Sequence, residues 1–497
     1  MSRLRSRGTA IRGVALTAGL IALAVVAPAW AGPGAVGPTV SVSGASPFAS
    51  CTIDDVAGQP GTNVPNSEVE PWIAASTVDR NGDGANDVIV GYQQDRWSNG
   101  GSRGIYSSVL FQGTYLQVAV PGTSACVGGV RYPRATDPWV TFSPNGDAYY
   151  FTLSTSAGNL SAMLVNKSTD GGLTWSAPIV LIDEDDPDNF NDKNSITADP
   201  FNSNFVYAVW DRSRFPSDKR YSHSLSGFPH SLRSDGYFSR TTNGGASWEA
   251  PHAIFQPNAN EFGIGHQIAV VRAGAHRGRL VDSFTLFHGS GSNKKGQEVA
   301  VIVSDDRGAT WSDPISVSKM MPGFISDPDD GTPLRTGDII PDIGAGPNGE
   351  LYLVWQEQTL AASGSAIAFS ASLDGGQTWS APRRINTRPD VQAFTPSVEA
   401  LADGTIAVTH YDLRFNTSDP ATLPTDYWFL HSHDGGATWT ETRVTAQSFD
   451  HKLAPFARGL FLGDYAGLAA RGNVFLSAYG VTTASDPASI NVSVLTP

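Results

Sequence analysis

Residues 79–87, DRNGDGAND, put oxygen side chains at the first, third, fifth and ninth positions of a short stretch: Asp79, Asn81, Asp83 and Asp87. Hard oxygens converging from a tight loop suit calcium, and Gly84 lets the chain fold back over the ion. A structural calcium site is expected here, set against a plain polar hairpin such as SPNGD (143–147), which lacks the full ligand set. Three further places put an acid beside or near an arginine: QQDRW with Asp95 and Arg96, WDRSR with Asp211 and Arg212, and YDLRF with Asp412 and Arg414. A guanidinium donates two parallel hydrogen bonds to a carboxylate, so these arginines are candidates both for gripping an anionic ligand and for plain salt bridges. The acidic run Asp183-Glu184-Asp185-Asp186-Pro187-Asp188 reads as a solvated charge cluster. Cys51 and Cys126 are the two cysteines, expected to form one disulfide in an oxidising compartment, with two free thiols as the alternative.

These residues need a frame, and an eight-residue pattern supplies it. It occurs as STDGGLTW (168–175), TTNGGASW (241–248), SDDRGATW (304–311), SLDGGQTW (372–379) and SHDGGATW (432–439), with starts 73, 63, 68 and 60 residues apart. That interval is the size of a four-stranded sheet. Within the pattern a hydroxyl and a carboxylate cap turn amides, Gly supplies positive φ, and Trp plugs the gap between neighbouring sheets. Strand, turn and strand precede the boxes in DPWVTFSPNGDAYYFTL (137–153), SITADPFNSNFVYAVWDR (195–212), PDIGAGPNGELYLVWQE (341–357) and TPSVEALADGTIAVTHYDLR (395–414). Box-less relatives open the array at Glu70 and close it in LGDYAGLAARGNVFLSAYG (462–480). Hairpin openings near Glu70, Asp137, Asn194, His266, Ile340, Thr395 and Asp464 count seven units. The last has room for three strands, so TVSVSG (39–44) is expected to supply its fourth.

The box resembles the Asp-box of the sialidase (BNR-repeat) superfamily. With its spacing, this implies an all-β fold: a single β-propeller of four-stranded blades, seven by the unit count, with six, the family's usual number, as the alternative. The expected organisation is a signal peptide (1–31), an N-terminal segment closing the ring (32–69) and the propeller (70–497). In such blades the opening of the first strand and the exit of the second share one face, the mouth, while the boxes lie on the other and are scaffold. The resemblance implies a secreted glycoside hydrolase of exo-α-sialidase type acting on terminal sugars of glycans. Such enzymes hold a substrate carboxylate with three arginines, attack with a tyrosine activated by a glutamate, and use an aspartate as acid/base. Carried over to this sequence, Tyr465 in GDYAGL is the nucleophile, Glu70 its base and Asp137 the acid/base, with Arg96, Arg212 and Arg414 as the carboxylate clamp. The family's Arg-Ile-Pro motif is absent; VRYPR (130–134) is nearest, offering Arg131 or Arg134. No glutamate-plus-arginine hairpin precedes the last box. The alternative is a non-catalytic Asp-box propeller that binds glycans or proteins through its mouth.

Composition agrees with export. Arg3, Arg5, Arg7 and Arg12 precede an apolar run from Val14 to Val26 and the small-residue site Ala29-Trp30-Ala31, a signal-peptide pattern too short to span a membrane. Its removal moves the formal charge from −14 to −18, a surface that repels nucleic acid and anionic lipid. A monomer with no organic cofactor is expected. Gly344-Ala345-Gly346-Pro347-Asn348-Gly349 fits a nucleotide-binding pattern but lies between two strands with no helix after it, so it is a hairpin. No His-Glu-x-x-His, Cys-x-x-Cys or Gly-x-Ser-x-Gly stretch occurs, which leaves zinc-peptidase and serine-hydrolase chemistry without support.

Overall fold

The computed structural model describes residues 34–497 except 130, 157–159, 216–232, 259–260 and 290–294. The expected signal segment, 1–31, lies outside the described residues. The fold is all-β, and short 3-10 turns are the only helical elements among the described residues. Strand pairing repeats one theme, an antiparallel four-strand meander. Glu68–Ala75, Val88–Arg96, Ser102–Phe111 and Thr114–Ala119 form the first, and Arg134–Phe142, Ala148–Thr155, Ser161–Ser168 and Ile179–Glu184 the next. Further meanders begin at Asn189–Ala198, Phe262–Val270, Asp342–Ala345 and Ala393–Ala400. The last sheet joins Gly467–Arg471, Val474–Thr483 and Asp486–Thr496 to the N-terminal strand Ala35–Ser41, in the register Thr39 to Ser493 and Val40 to Val492.

First strands of successive meanders touch one another. Trp72 stacks on Trp139 with ring centres 3.5 Å apart, Asn194 donates to the Asp137 carbonyl at 2.9 Å, and Ser195 to that of His266 at 3.0 Å. Ser397 donates to Asp342 at 2.8 Å, and the Glu70 amide to the Leu462 carbonyl at 3.1 Å, which brings the last meander to the first. Val and Ile alternate through the central strands, and their side chains fill the gaps between sheets.

The five boxes fold alike. In the first, Ser168 Oγ accepts the Gly172 amide at 2.9 Å and donates to Asp170, whose carboxylate takes the Thr174 amide at 2.9 Å. The same bonds recur at Ser304, Ser372 and Ser432, and at Thr241 with Asn243 replacing the acid. The fifth residue of each box is a glycine, such as Gly436 at φ 82°, and is left-handed, where a side chain would strain the turn. Trp439 stands edge-on to Phe369 of the preceding meander, 5.2 Å away. The boxes therefore fasten one sheet to the next.

One small sheet departs from the theme. Ile325–Ser326 pairs with Pro333–Arg335, which pairs in parallel with Leu460–Phe461. Cys51 and Cys126 form a disulfide with Cα atoms 5.8 Å apart, joining the N-terminal segment to the chain just after the first meander.

Candidate functional site

The first strands carry a shared irregularity. Their register slips between Val69 and Trp72, Thr136 and Trp139, Asp192 and Ser195, Ile264 and Gln267, and Phe394 and Ser397. Each slip holds a left-handed residue: Glu70 (φ 55°), Asp137 (55°), Lys193 (41°), Gly265 (80°) and Thr395 (50°). Such bulges re-aim a side chain out of the pleat, and Glu70, Asp137 and Thr395 also precede prolines, a position that disfavours helical backbone. Strain concentrated at equivalent positions of separate strands marks a site.

A cavity of about 70 Å³ is lined by Arg96, Arg134, Arg335 and Arg458 together with Asp137, Asp192, Thr136, Leu153 and Phe190. Arg96 closes the second strand of the first meander, Arg134 opens the second meander, and Arg335 comes from the small sheet. Arg96 donates to Gln93 at 2.6 Å, and burial pulls its guanidinium down to about 10 against the opposing charge of Glu70. Arg335 is gripped by both oxygens of Asp464, with Nε to Oδ1 at 2.9 Å, which holds it above the usual arginine range despite burial. Both guanidiniums lie against the Phe461 ring, 4.7 and 4.4 Å from its centre. Arg96 Nε and Arg335 Nη1 are buried without a hydrogen-bond acceptor. Arg134, by contrast, is fully used: it donates to Gln59, Pro60, Asn99 and Gly100 and lies over Trp97.

Acids meet the same cavity. Asp137 and Asp192 both accept the Lys193 amide, at 3.1 and 3.0 Å. Burial first, then the charges of Asp137 and Asp211, pushes the Asp192 carboxyl up to about 7. Glu70, 2% exposed, accepts the Asp464 amide at 3.3 Å and an N–H of Gln93. Burial, then Asp137 and Asp464, raises its carboxyl to about 8, so it carries a proton at neutral pH.

The structure brings Glu70, Asp137 and Arg96 together, sets Tyr465 beside them in an adjoining chamber, and leaves Arg212 and Arg414 elsewhere. Tyr465 lines a smaller chamber with Trp72, Trp139, Lys193 and Asp464. Its hydroxyl faces the Pro138 carbonyl at 3.4 Å, and burial, then Glu70 and Asp137, lifts the phenol well above its ordinary value, the wrong direction for a nucleophile. Arg212 is paired with Glu184. Arg414 is paired with Asp412 and Glu441 and covers Trp428 at 3.4 Å. Arg131 is tied to Asp183 and Asp185 at the surface. Sequence reasoning missed Arg335, Arg458, Asp192 and Lys193. Lys193 stands one residue before the Asn194 taken as the strand opening, and only the bulge reveals which of the two enters the chamber.

The 79–87 loop is folded on its own amides. Asp79 accepts Gly82 and Gly84, Asp87 accepts Arg80 and Asn81, and Asp83 accepts Ala85 and Gln112. Its three carboxylates do not gather. Among the described residues the one cluster of three metal-ligating side chains within 4.8 Å is Cys51, Asp54 and Cys126, where both sulfurs are in the disulfide. As folded, the loop does not fit the calcium expected from its spacing, because the carboxylates of Asp79, Asp83 and Asp87 already serve amides and do not lie within 4.8 Å of one another.

No protein-family model and no curated protein matches the chain. Among solved structures it is similar to a Hadza microbial sialidase (16% identity, TM-score 0.47, covering 82% of this chain and 76% of that one). It is also similar to the intramolecular trans-sialidase from Ruminococcus gnavus in complex with oseltamivir carboxylate (12%, 0.44, 74% and 95%). A third is an α-L-arabinofuranosidase from Fusarium graminearum in complex with an iminosugar inhibitor (13%, 0.43, 73% and 94%). At TM-scores below 0.5 these likenesses assign neither a residue nor an activity to this chain.

Proposed function

We propose that this chain is a glycoside hydrolase for sugars bearing an anionic group, working at the mouth of a single seven-bladed β-propeller. The observation that carries the reading is the convergence of Arg96, Arg335 and Arg458 from separate segments on one cavity, with buried N–H groups of Arg96 and Arg335 unspent. A carboxylate entering there would satisfy donors that otherwise cost free energy. Asp192, holding a proton near neutrality, suits delivery to the glycosidic oxygen as its bond to the sugar breaks. Asp137 then takes a proton from the water that adds to the sugar carbon. In the alternative that the sialidase resemblance implies, Tyr465 attacks and Glu70 accepts its proton, which requires Glu70 first to give up its own proton and the phenol to leave the Pro138 carbonyl. Ring closure is supported by the contacts of Glu70 with Leu462 and of Ala35–Ser41 with the C-terminal strand. Export is supported by the pattern of residues 1–31 and by the disulfide.

A panel of fluorogenic sialosides, uronides and neutral glycosides tests the activity. Cleavage of an acidic member, lost in Asp192→Asn and retained in Tyr465→Phe, is expected. Loss in Tyr465→Phe with Asp192→Asn active would transfer the chemistry to the tyrosine. A second reading, an anionic-glycan binder without turnover, is favoured by the pairing of Arg212 and Arg414 with acids and gains if the panel is bound but uncleaved.

A further inference from the structure

Lys193 is the one lysine in the bulge series, and nothing in the proposed reaction uses it. Its main-chain N–H is shared by Asp137 Oδ2 and Asp192 Oδ1, so one donor fixes two carboxylates from neighbouring strands. Its side chain is 5% exposed. The Nζ lies over the rings of Trp139 and Tyr465, 4.3 and 4.4 Å from their centres, a placement that suits a cation. Acids face it from every strand packed there: Asp137, Asp211, Glu70 and Asp342, with Asp192 beside it in sequence. Arg458 is a further cation acting on Asp192.

Buried carboxylates so crowded repel one another, and burial with that repulsion raises Glu70 and Asp192. We propose that Lys193 is the positioning residue of the Asp137 and Asp192 pair, tying the two carboxylates through its amide and supplying through its ammonium the positive charge around which they sit. The left-handed backbone at φ 41° serves this purpose, because it points the amide at the acids and sends the side chain between the aromatic rings. Burial pulls the amine below its ordinary value and the acids, Asp137 foremost, oppose that pull. The role rests on reading Asp137 and Asp192 as base and acid.

The test is carboxyl and lysine NMR on the full chain, labelled at aspartate Cγ and lysine Cε, with Asp192→Asn assigning the Asp192 signal. The expected wild-type result is a charged Lys193 amine at pH 7 and an Asp192 midpoint near neutrality. Lys193→Met keeps the length of the side chain and removes its charge. It should raise that midpoint by about one pH unit, a tenfold change in proton affinity, and Lys193→Arg should restore it. An unchanged midpoint in Lys193→Met overturns the proposal. So does a neutral amine in the wild type, a result that decides alone if Lys193→Met fails to fold. Because neither measurement uses a glycan, a chain that cleaves nothing yet shows these titrations loses the hydrolase reading and keeps the positioning role.

Discussion

Breaking the Cys51–Cys126 disulfide should cost a calculable amount of stability. The bridge spans 75 positions, and the chain-entropy argument assigns closure of such a loop about 4.5 kcal/mol of destabilisation of the unfolded chain. Unfolding entropy of roughly 2.1 cal/mol/K per residue makes about 1 kcal/mol correspond to one degree for a chain of this length. The Cys51→Ser/Cys126→Ser double variant should therefore melt about 4 °C below the wild type, and each single variant should melt with the double, since half a bridge constrains nothing. Local contacts add to the loss. The tethered segment carries Asp54, which holds Arg103 at 2.7 Å, and Gln59 and Pro60, which hold Arg134 at the cavity wall. Scanning calorimetry of non-reduced samples, with mass spectrometry after alkylation to count thiols, measures both. A double variant melting within about 1 °C of the wild type would refute the reasoning, and two alkylated cysteines in native protein would remove its premise.

Arg335→Ala should weaken binding of an acidic monosaccharide by tenfold or more while leaving neutral sugars unaffected, as titration calorimetry can show; equal loss for both would exclude carboxylate recognition. Asp374→Ala strips acceptors from the Ser372, Gln377 and Thr378 groups of one box and should cost about 1–2 kcal/mol in thermal unfolding, with catalytic constants unmoved. Calcium and chelator should leave the melting midpoint where it is, because the carboxylates of Asp79, Asp83 and Asp87 already serve amides; a calcium-dependent rise abolished in Asp83→Ala would show that the loop rearranges around an ion. Glu68 is raised from 4.5 to about 8, chiefly by burial. The stability it contributes is whole below pH 4.5 and lost as pH climbs through 8, so melts from pH 6 to 9 should fall, and fall less in Glu68→Gln.

The parts of the fold that were legible in the sequence are those in which chemistry is local. A box declares itself because the side chains of Ser168 and Asp170 make their hydrogen bonds within it, to each other and to the Gly172 and Thr174 amides. Hairpins declare themselves through alternating Val and Ile flanking Asp-Gly or Asn-Gly turns. The cavity was legible only in part. Glu70, Asp137 and Arg96 follow from strand openings and exits, whereas Arg335 reaches the cavity on a three-residue strand paired in parallel with Leu460–Phe461, a contact without local pattern. Arg414 stays out of the cavity for the converse reason: an acid two residues away, with Nε to Asp412 at 2.7 Å, captures it. Tyr465 occupies the expected strand opening, but packing against Trp72 and Trp139 decides where its hydroxyl points, and rotamers in an aromatic cluster are not written in spacing.

The pairing of Ala35–Ser41 with Asp486–Thr496 means that one sheet is made from both ends of the polypeptide. A chain that emerges N-terminus first must leave its opening strand without a partner until nearly every other residue has been delivered, so completion of the fold is an event in time set by the last strand. An unpaired strand is an invitation to neighbouring molecules during that wait. Gly37 and Pro38 interrupt this one, and the register slips between Val36 and Thr39. Proline cannot donate to a ladder, which makes the waiting strand a poor template for strangers while the twisted C-terminal strand still accepts it. Deleting Ala35–Ser41 would bare the edge of Asp486–Thr496, whereas deleting Asp486–Thr496 would bare Val474–Thr483 and leave Ala35–Ser41 without a partner, so the two losses open different edges of one sheet.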